Sequence, residues 1–385
     1  MMSDLAERIA KLPPERRALL LEQLARPRLQ GGRTAALADT DPQLMRSWES
    51  FCCVPGVPGR FDALRFRPMP RTPPGPGQIQ IQARAVSLNF RDLMIAMQLY
   101  PPSPGVPSVM GSDYAGEILQ CGDGVTDFAP GDRVMGLSAG HFTPDGAIVA
   151  DSHFCAVPNI SAFQAVHIPE NLSFNEAASV PTVFLTSYYA LCQVARLARG
   201  ERVLVHSATG GVGLAAIQIA RWIGAEIFAT AGSASKRELL ASLGVAAVMD
   251  SRSLEFADTV MRLTSGQGVD VILNTLSGPA VAKGLEILRL FGRFLQIDKQ
   301  DIARNSPLPL GPFKKSLTFA SIDLSLFLMQ PDRLKQIFLE IADHLRRGHF
   351  LPVRTTVFPV TKVGEALALM SRYQHVGKLV LSYDL

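Results

Sequence analysis

The chain has 385 residues, 47% apolar and 19% charged, with 38 basic against 34 acidic side chains and a formal net charge of +4. That balance, without a long basic run, excludes a nucleic-acid-binding tail, and the apolar share excludes wholesale disorder. No apolar run reaches the roughly 18 residues of a membrane span, and the charged N-terminus has no signal-peptide core.

Asp4 and Glu7 have capping-box spacing, and Leu5, Ile9 and Leu12 share one helical face. Pro13–Pro14 interrupts that helix, and Pro14 opens a second one running to about Ala25. This pair reads either as a docking element or as a helix pair packed on its own domain. Residues 26–41 lack a clear period and form a linker. From about residue 45 to 160, short apolar runs alternate with turns. Gln78–Ala85 has period two and is a strand, as are Ala115–Leu119 and Arg133–Leu137. Near residue 175 the rhythm changes. Phe174–Ala190 reads as one helix despite Pro181. Then come strand Arg202–His206, helix Val212–Trp222, strand Glu226–Ala231, helix Lys236–Leu243, strand Ala247–Met249 and helix Phe256–Leu263. Strand Val269–Leu273, helix Pro279–Leu288 and strand Arg293–Ile297 complete the alternation, which predicts a parallel sheet covered on both faces. Val353–Pro359, Lys362–Arg372 and Lys378–Leu381 return to strand, helix, strand. The chain thus divides into a helical extension with linker (1–44), a β-rich part (45–185), an α/β part (186–326) and a C-terminal return (327–385).

The most informative stretch runs from Val203 to Leu214, where an apolar strand enters His206-Ser207-Ala208-Thr209-Gly210-Gly211-Val212-Gly213 and a helix follows. Gly210 and Gly211 permit a tight turn and close approach of a diphosphate, and Gly213 lets the helix pack on the strand. The helix N-terminus offers free N–H groups to phosphates. Placed between strand and helix, this is a dinucleotide-binding loop. The next strand ends in Gly232-Ser233-Ala234-Ser235-Lys236-Arg237, with no carboxylate for a ribose hydroxyl pair. Ser233, Lys236 and Arg237 suit a 2′-phosphate, so NADPH is the expected cofactor. The two cations also fit an ordinary first helical turn.

Several separated motifs then resemble one family. Leu88-Asn89-Phe90-Arg91-Asp92 with Tyr100-Pro101, Gly131 to Gly136, the glycine loop and Gly292-Arg293-Phe294 are similar to the medium-chain dehydrogenase/reductases, in particular the enoyl reductase domains of modular polyketide synthases. The resemblance covers residues 55 to 385. It implies a GroES-like β-rich catalytic domain with an inserted Rossmann dinucleotide-binding domain, behind the short helical N-terminal extension. The implied cofactor site takes in Thr209, Val212 and Asn274 besides the residues above. Asn89 would place the nicotinamide ribose or the substrate carbonyl, or cap a local turn.

Zinc-dependent relatives carry a His-Glu pair where this chain has Gly111-Ser112-Asp113-Tyr114, and a four-cysteine lobe that is absent here. Cys52 and Cys53 are adjacent and poorly placed for joint chelation, and His141, His153 and Cys155 form a weak candidate set. No metal is expected. The five cysteines, an odd number, suit a reducing, cytoplasmic compartment.

The implied reaction is zinc-free reduction of an α,β-unsaturated thioester: hydride to the β-carbon, enolate stabilisation, a proton to the α-carbon. By motif position, Tyr100 matches the family's proton donor, Lys299 its lysine after the strand passing the nicotinamide, and Asp323 the aspartate that pairs with that lysine. Departures flank them: Asp298 stands where the family has glycine, and Tyr100-Pro101-Pro102 replaces Tyr-Pro-Gly. Ring closure to a cyclopropane with loss of a γ-leaving group, or reduction of free quinones and enones, are the alternative activities. The expected partner is an acyl carrier protein bearing a phosphopantetheine-linked enoyl chain. Other synthase modules could meet the N-terminal helices, whose Leu12-Pro13-Pro14-Glu15-Arg16-Arg17 run resembles megasynthase linkers. Arg346–Arg347 and Lys314–Lys315 are candidate basic landing sites, with solvated surface charge as the alternative. The assembly is expected to be a monomer or a homodimer.

Overall fold

A computed structural model describes residues 41–54, 57, 59–100, 109–137, 141–142, 148–149 and 153–384. The expected N-terminal helices and Pro101-Pro102 lie outside the described residues.

The β-rich part contributes β1 (Gln78–Leu88), helix α1 (Phe90–Ala96), β2 (Asp113–Cys121), β3 (Arg133–Leu137), β4 (Asn159–Ser161) and β5 (Ala165–His167). Two short helices follow, α2 (Phe174–Ala178) and α3 (Pro181–Tyr188), so the single helix expected from Phe174 to Ala190 is broken. Ser173 and Glu176 form a capping box at the start of α2. Pro181 has no N–H to bond backwards, so it opens α3 in its first turn instead of continuing α2. A π-helical stretch, Tyr189–Val194, extends α3.

The α/β part then runs β6 (Arg202–Val205), α4 (Gly211–Ile223), β7 (Glu226–Ala231), α5 (Ala234–Ser242), β8 (Ala247–Asp250), α6 (Phe256–Leu263), β9 (Val269–Asn274), α7 (Pro279–Glu286), β10 (Leu288–Gln296) and β11 (Thr318–Ser321). β10 begins five residues earlier than expected. It carries the irregular turn at Phe291, whose φ is +63°, and pairs with β9 across a register shift. The chain ends with α8 (Pro331–Arg346), β12 (Thr355–Pro359), α9 (Val363–Ser371) and β13 (Lys378–Ser382).

Two sheets organise these elements. The first has the order β8-β7-β6-β9-β10-β11, all pairs parallel, which is the doubly wound arrangement with its sequence reversal between β6 and β9. Val203, Val205, Val271 and Leu273 on one face and Leu204, Ile272 and Phe294 on the other are wholly buried, as a sheet covered on both faces requires. The second has the order β12-β13-β1-β2-β3-β5, with β4 on β1, and is antiparallel apart from β12–β13. Strand β13, from the end of the chain, pairs with β1 from its beginning, so the α/β part is inserted between them. A parallel bridge between Gly210 and Gly377 joins the glycine loop to the residue just before β13.

Candidate active site

The glycine loop forms where β6 ends at the sheet's reversal point. Its tight turn falls on Ser207, at φ +52°, while Gly210 is at φ −74°. Sequence reading gave the tight turn to Gly210 and Gly211, but its positive φ sits on Ser207. The glycines act by space. A Cβ on Gly213 would lie 2.4 Å from Ala208 Cα, so helix and loop could not approach. A Cβ on Gly211 would lie 2.9 Å from the Lys378 side chain, whereas one on Gly210 would meet nothing nearer than Ser207 O at 3.4 Å. The first turn of α4 is thus open at Gly210, where the leading N–H groups of a helix have no intrahelical partner. A diphosphate fits this geometry. Thr209 is buried, and its C=O accepts from Gly377 N–H at 2.8 Å. Val212 C=O accepts from Ser187 Oγ at 2.9 Å.

At the end of β7, Ser233 caps α5 by accepting from Lys236 N–H, and its Oγ lies 3.3 Å from Ser235 Oγ. Lys236 Nζ donates to Tyr373 C=O at 2.7 Å. Burial and the charge of Arg252 hold its ammonium below the usual lysine range. Arg237 is committed elsewhere, donating to Asp250 Oδ2 at 2.9 Å and to Ala231 C=O. The second cation at this strand end is Arg252, whose Nε lies 2.9 Å from where a Cβ on Gly232 would stand. Sequence reading missed Arg252 because it follows β8 rather than β7. Asn274 is wholly buried and donates to Leu276 C=O and Gln296 Oε1, both at 2.6 Å.

Tyr100, Lys299 and Asp323 come together from three separate elements. The start of α1 is pinned by Asp92, whose carboxylate accepts N–H bonds from Asn89 (2.6 Å) and Gly111 (3.0 Å). Burial pushes that carboxyl up to about 6 despite those bonds. At the far end of α1, Tyr100 N–H returns to Met94 C=O, and the Arg91 guanidinium lies 5.2 Å from the Tyr100 ring centre. Lys299 follows β10, and Asp323 follows β11. Lys299 Nζ donates to Asp323 Oδ2 at 2.7 Å and to Tyr100 Oη at 3.2 Å. Ser325 N–H and Oγ both donate to Asp323 Oδ1. Burial pushes the Asp323 carboxyl up, but the bonds from Lys299 and Ser325 and the lysine's charge outweigh it and hold it below the usual range. Because Lys299 donates to the phenol oxygen, the Tyr100 hydroxyl hydrogen is directed elsewhere.

A second charged pair was not foreseen. Lys378 Nζ lies 3.0 Å from Asp113 Oδ2, with side chains 4% and 0% exposed. The same Nζ donates to Asn89 Oδ1 at 2.6 Å. Asp113 also accepts from Ser87 Oγ, Asn89 Nδ2 and Thr182 N–H and Oγ1. The Asn89 side chain is therefore engaged in a buried network linking β1, β2, β13 and α3. His153 Nδ1 accepts from Met110 N–H at 2.9 Å, and no group of three or more metal-ligating side chains occurs among the described residues. The proposed landing patches are tied locally: Arg346 and Arg347 pair with Asp343, and Lys315 donates to backbone carbonyls of Glu286 and Leu288. No described helix is long and apolar enough to cross a membrane.

Two family models match: the alcohol dehydrogenase GroES-like domain over residues 75–171 and zinc-binding dehydrogenase over residues 211–342. A phenolphthiocerol/phthiocerol polyketide synthase polypeptide of Mycobacterium tuberculosis is 41% identical over 326 residues, 84% of this chain. The match spans only 14% of that relative's length. The crystal structure of CurK enoyl reductase is 34% identical with a TM-score of 0.76, covering 86% of this chain and 99% of that one. The CurF ER cyclopropanase from the curacin A pathway is 28% identical with a TM-score of 0.77 over the same shares.

Proposed function

The chain belongs to the medium-chain dehydrogenase/reductases, among the polyketide enoyl reductases, and from that premise we propose that it is an NADPH-dependent, zinc-independent reductase of the α,β-double bond in a carrier-bound polyketide thioester. The observation that carries the reading is the convergence of Tyr100, Lys299 and Asp323, with Lys299 and Asp323 following β10 and β11 at the same edge of the parallel sheet where the open glycine loop follows β6. On this reading residues 45–185 with 327–385 form the catalytic domain and 186–326 the cofactor domain.

NADPH, when bound, supplies hydride to the β-carbon. The open turn at Gly210 and the N-terminus of α4 hold its diphosphate, while Ser233, Lys236 and Arg252 hold its 2′-phosphate. Lys299 presents a fixed ammonium to the negative charge that develops on the thioester oxygen. Tyr100 gives its proton to the α-carbon, and Lys299, already donating to the phenol oxygen, stabilises the phenolate left behind. Asp323 keeps Lys299 in place. The acyl chain arrives on the phosphopantetheine arm of a carrier protein.

The test is NADPH oxidation with a crotonyl thioester of a pantetheine mimic, with NADH in parallel. A saturated thioester product and preference for NADPH support the reading. Absence of turnover with NADPH bound refutes it for simple enoyl thioesters. Similarity to the CurF cyclopropanase makes ring closure the second reading, and halide release from a γ-halo substrate would mark it.

A further inference from the structure

Residues 373–377, between α9 and β13, span the two ends of the proposed cofactor site. At one end Tyr373 C=O accepts from Lys236, at the 2′-phosphate patch. At the other, Gly377 N–H donates to Thr209 C=O, at the glycine loop. Gly377 is required there: its φ is +70°, and a Cβ would stand 1.9 Å from Arg354 O. The loop is therefore pinned at both ends, and His375 lies midway between them.

His375 Nδ1 is buried and has no hydrogen-bond partner among the described residues. The charged groups that bear on the ring are Lys236 of α5 and Lys378 of β13, both cations. Arg252 adds a third positive charge next to Lys236. Two carboxylates bear on Lys378: Asp113 is turned to Lys378, Asn89, Ser87 and Thr182, and Asp92 accepts the N–H groups of Asn89 and Gly111. A half-buried imidazole among cations, with one ring nitrogen unbonded, lacks an anion. Burial first, then the two lysines, pull its pKa down to about 4, so the ring is neutral at pH 7 in the free protein. A phosphate brought to this place would reverse the local field and supply an acceptor.

We propose that His375 takes up a proton from solvent when the dinucleotide's phosphates bind, and donates a hydrogen bond to them from the loop whose end is bonded to the glycine loop. This rests on the dinucleotide reading of the site. A proton gained on binding means that affinity rises as pH falls, between the bound and free pKa values of the ring.

The experiment measures the dissociation constant of NADP⁺ for the full chain at about pH 7.5 and about pH 5.5, in wild type and in His375→Gln. The wild-type-to-variant comparison cancels the titration of the ligand's own 2′-phosphate. If the bound ring returns to the ordinary imidazole value of about 6.5, wild type gains roughly tenfold in affinity relative to the variant over that interval. Equal pH responses overturn the proposal while leaving the cofactor reading standing. Failure of wild type to bind either NADP⁺ or NAD⁺ overturns both. A measurement on wild type alone covers the case in which the variant does not fold. Calorimetry with NAD⁺, whose diphosphate does not titrate here, in two buffers of unlike ionisation enthalpy at about pH 6 should show uptake of more than half a proton. Uptake of none refutes the proposal.

Discussion

Asp323→Asn tests whether the aspartate acts on the reaction only through Lys299. The exchange keeps shape and removes one charge. At the observed 2.7 Å, and with an effective dielectric constant of about 20, the gross attraction is about 6 kcal/mol. The side chains are 27% and 20% exposed, so solvent and the cost of ordering two side chains remove most of it. A net loss of about 1.4 kcal/mol, or roughly tenfold in kcat, is expected for Asp323→Asn, with NADPH affinity unchanged. Lys299→Met removes the donor itself and should cost roughly 10²–10³ in kcat, the range for one oxyanion donor. The double variant should equal Lys299→Met alone, since the aspartate then has nothing to hold. The assay is thioester-dependent NADPH oxidation at saturating cofactor. Additive losses in the double variant would refute the reasoning and give Asp323 a role of its own. The pH dependence follows from the same pair. Because the Asp323 carboxyl is held below its unfolded range, its contribution to stability is fully present above the unfolded value of about 3.9 and is lost as pH falls through the folded value. Wild type and Asp323→Asn should therefore differ in unfolding free energy at neutral pH, and the difference should close in strong acid.

Lys378→Met leaves the buried Asp113 carboxylate without its cation and should destabilise the fold by about 3–5 kcal/mol in urea titration; adding Asp113→Asn should recover part of the loss. Gly213→Ala places a Cβ 2.4–2.6 Å from the Ala208 backbone, so dinucleotide binding followed by fluorescence should weaken by more than about tenfold, or the domain should melt earlier. Arg252→Ala should cut the preference for NADPH over NADH by roughly tenfold, the worth of one charge-assisted contact, whereas Arg237→Ala should leave it within about twofold, because Asp250 already holds Arg237. The ratio of kcat/KM for the two cofactors reads both.

Much of the α/β part was legible from local pattern. Glu226–Ala231 and Phe256–Leu263 match their expected ends, because apolar period and flanking turn residues act over a few positions. The glycine loop was recognisable for the same reason: strand, turn and helix are contiguous. Tyr100, Lys299 and Asp323 were named by resemblance, and nothing in their local sequence says that they meet. Lys299 reaches Tyr100 across 199 residues, and Lys378 reaches Asp113 across 265, through the pairing of β13 with β1. That pairing depends on the register of strands far apart in the chain, which composition and periodicity do not encode. The break at Pro181 and the choice of Arg252 over Arg237 show the same limit. In the first, the ring of one proline outweighs a continuous apolar pattern. In the second, Asp250 at the end of the neighbouring strand captures the arginine nearest in sequence and leaves the one nearest in space. Sequence alone determined most of the α/β elements, the place of the glycine loop and the family. Tertiary structure decided which charges are paired, buried or presented, because an ion pair's partner is set by distance in the fold and not by distance along the chain.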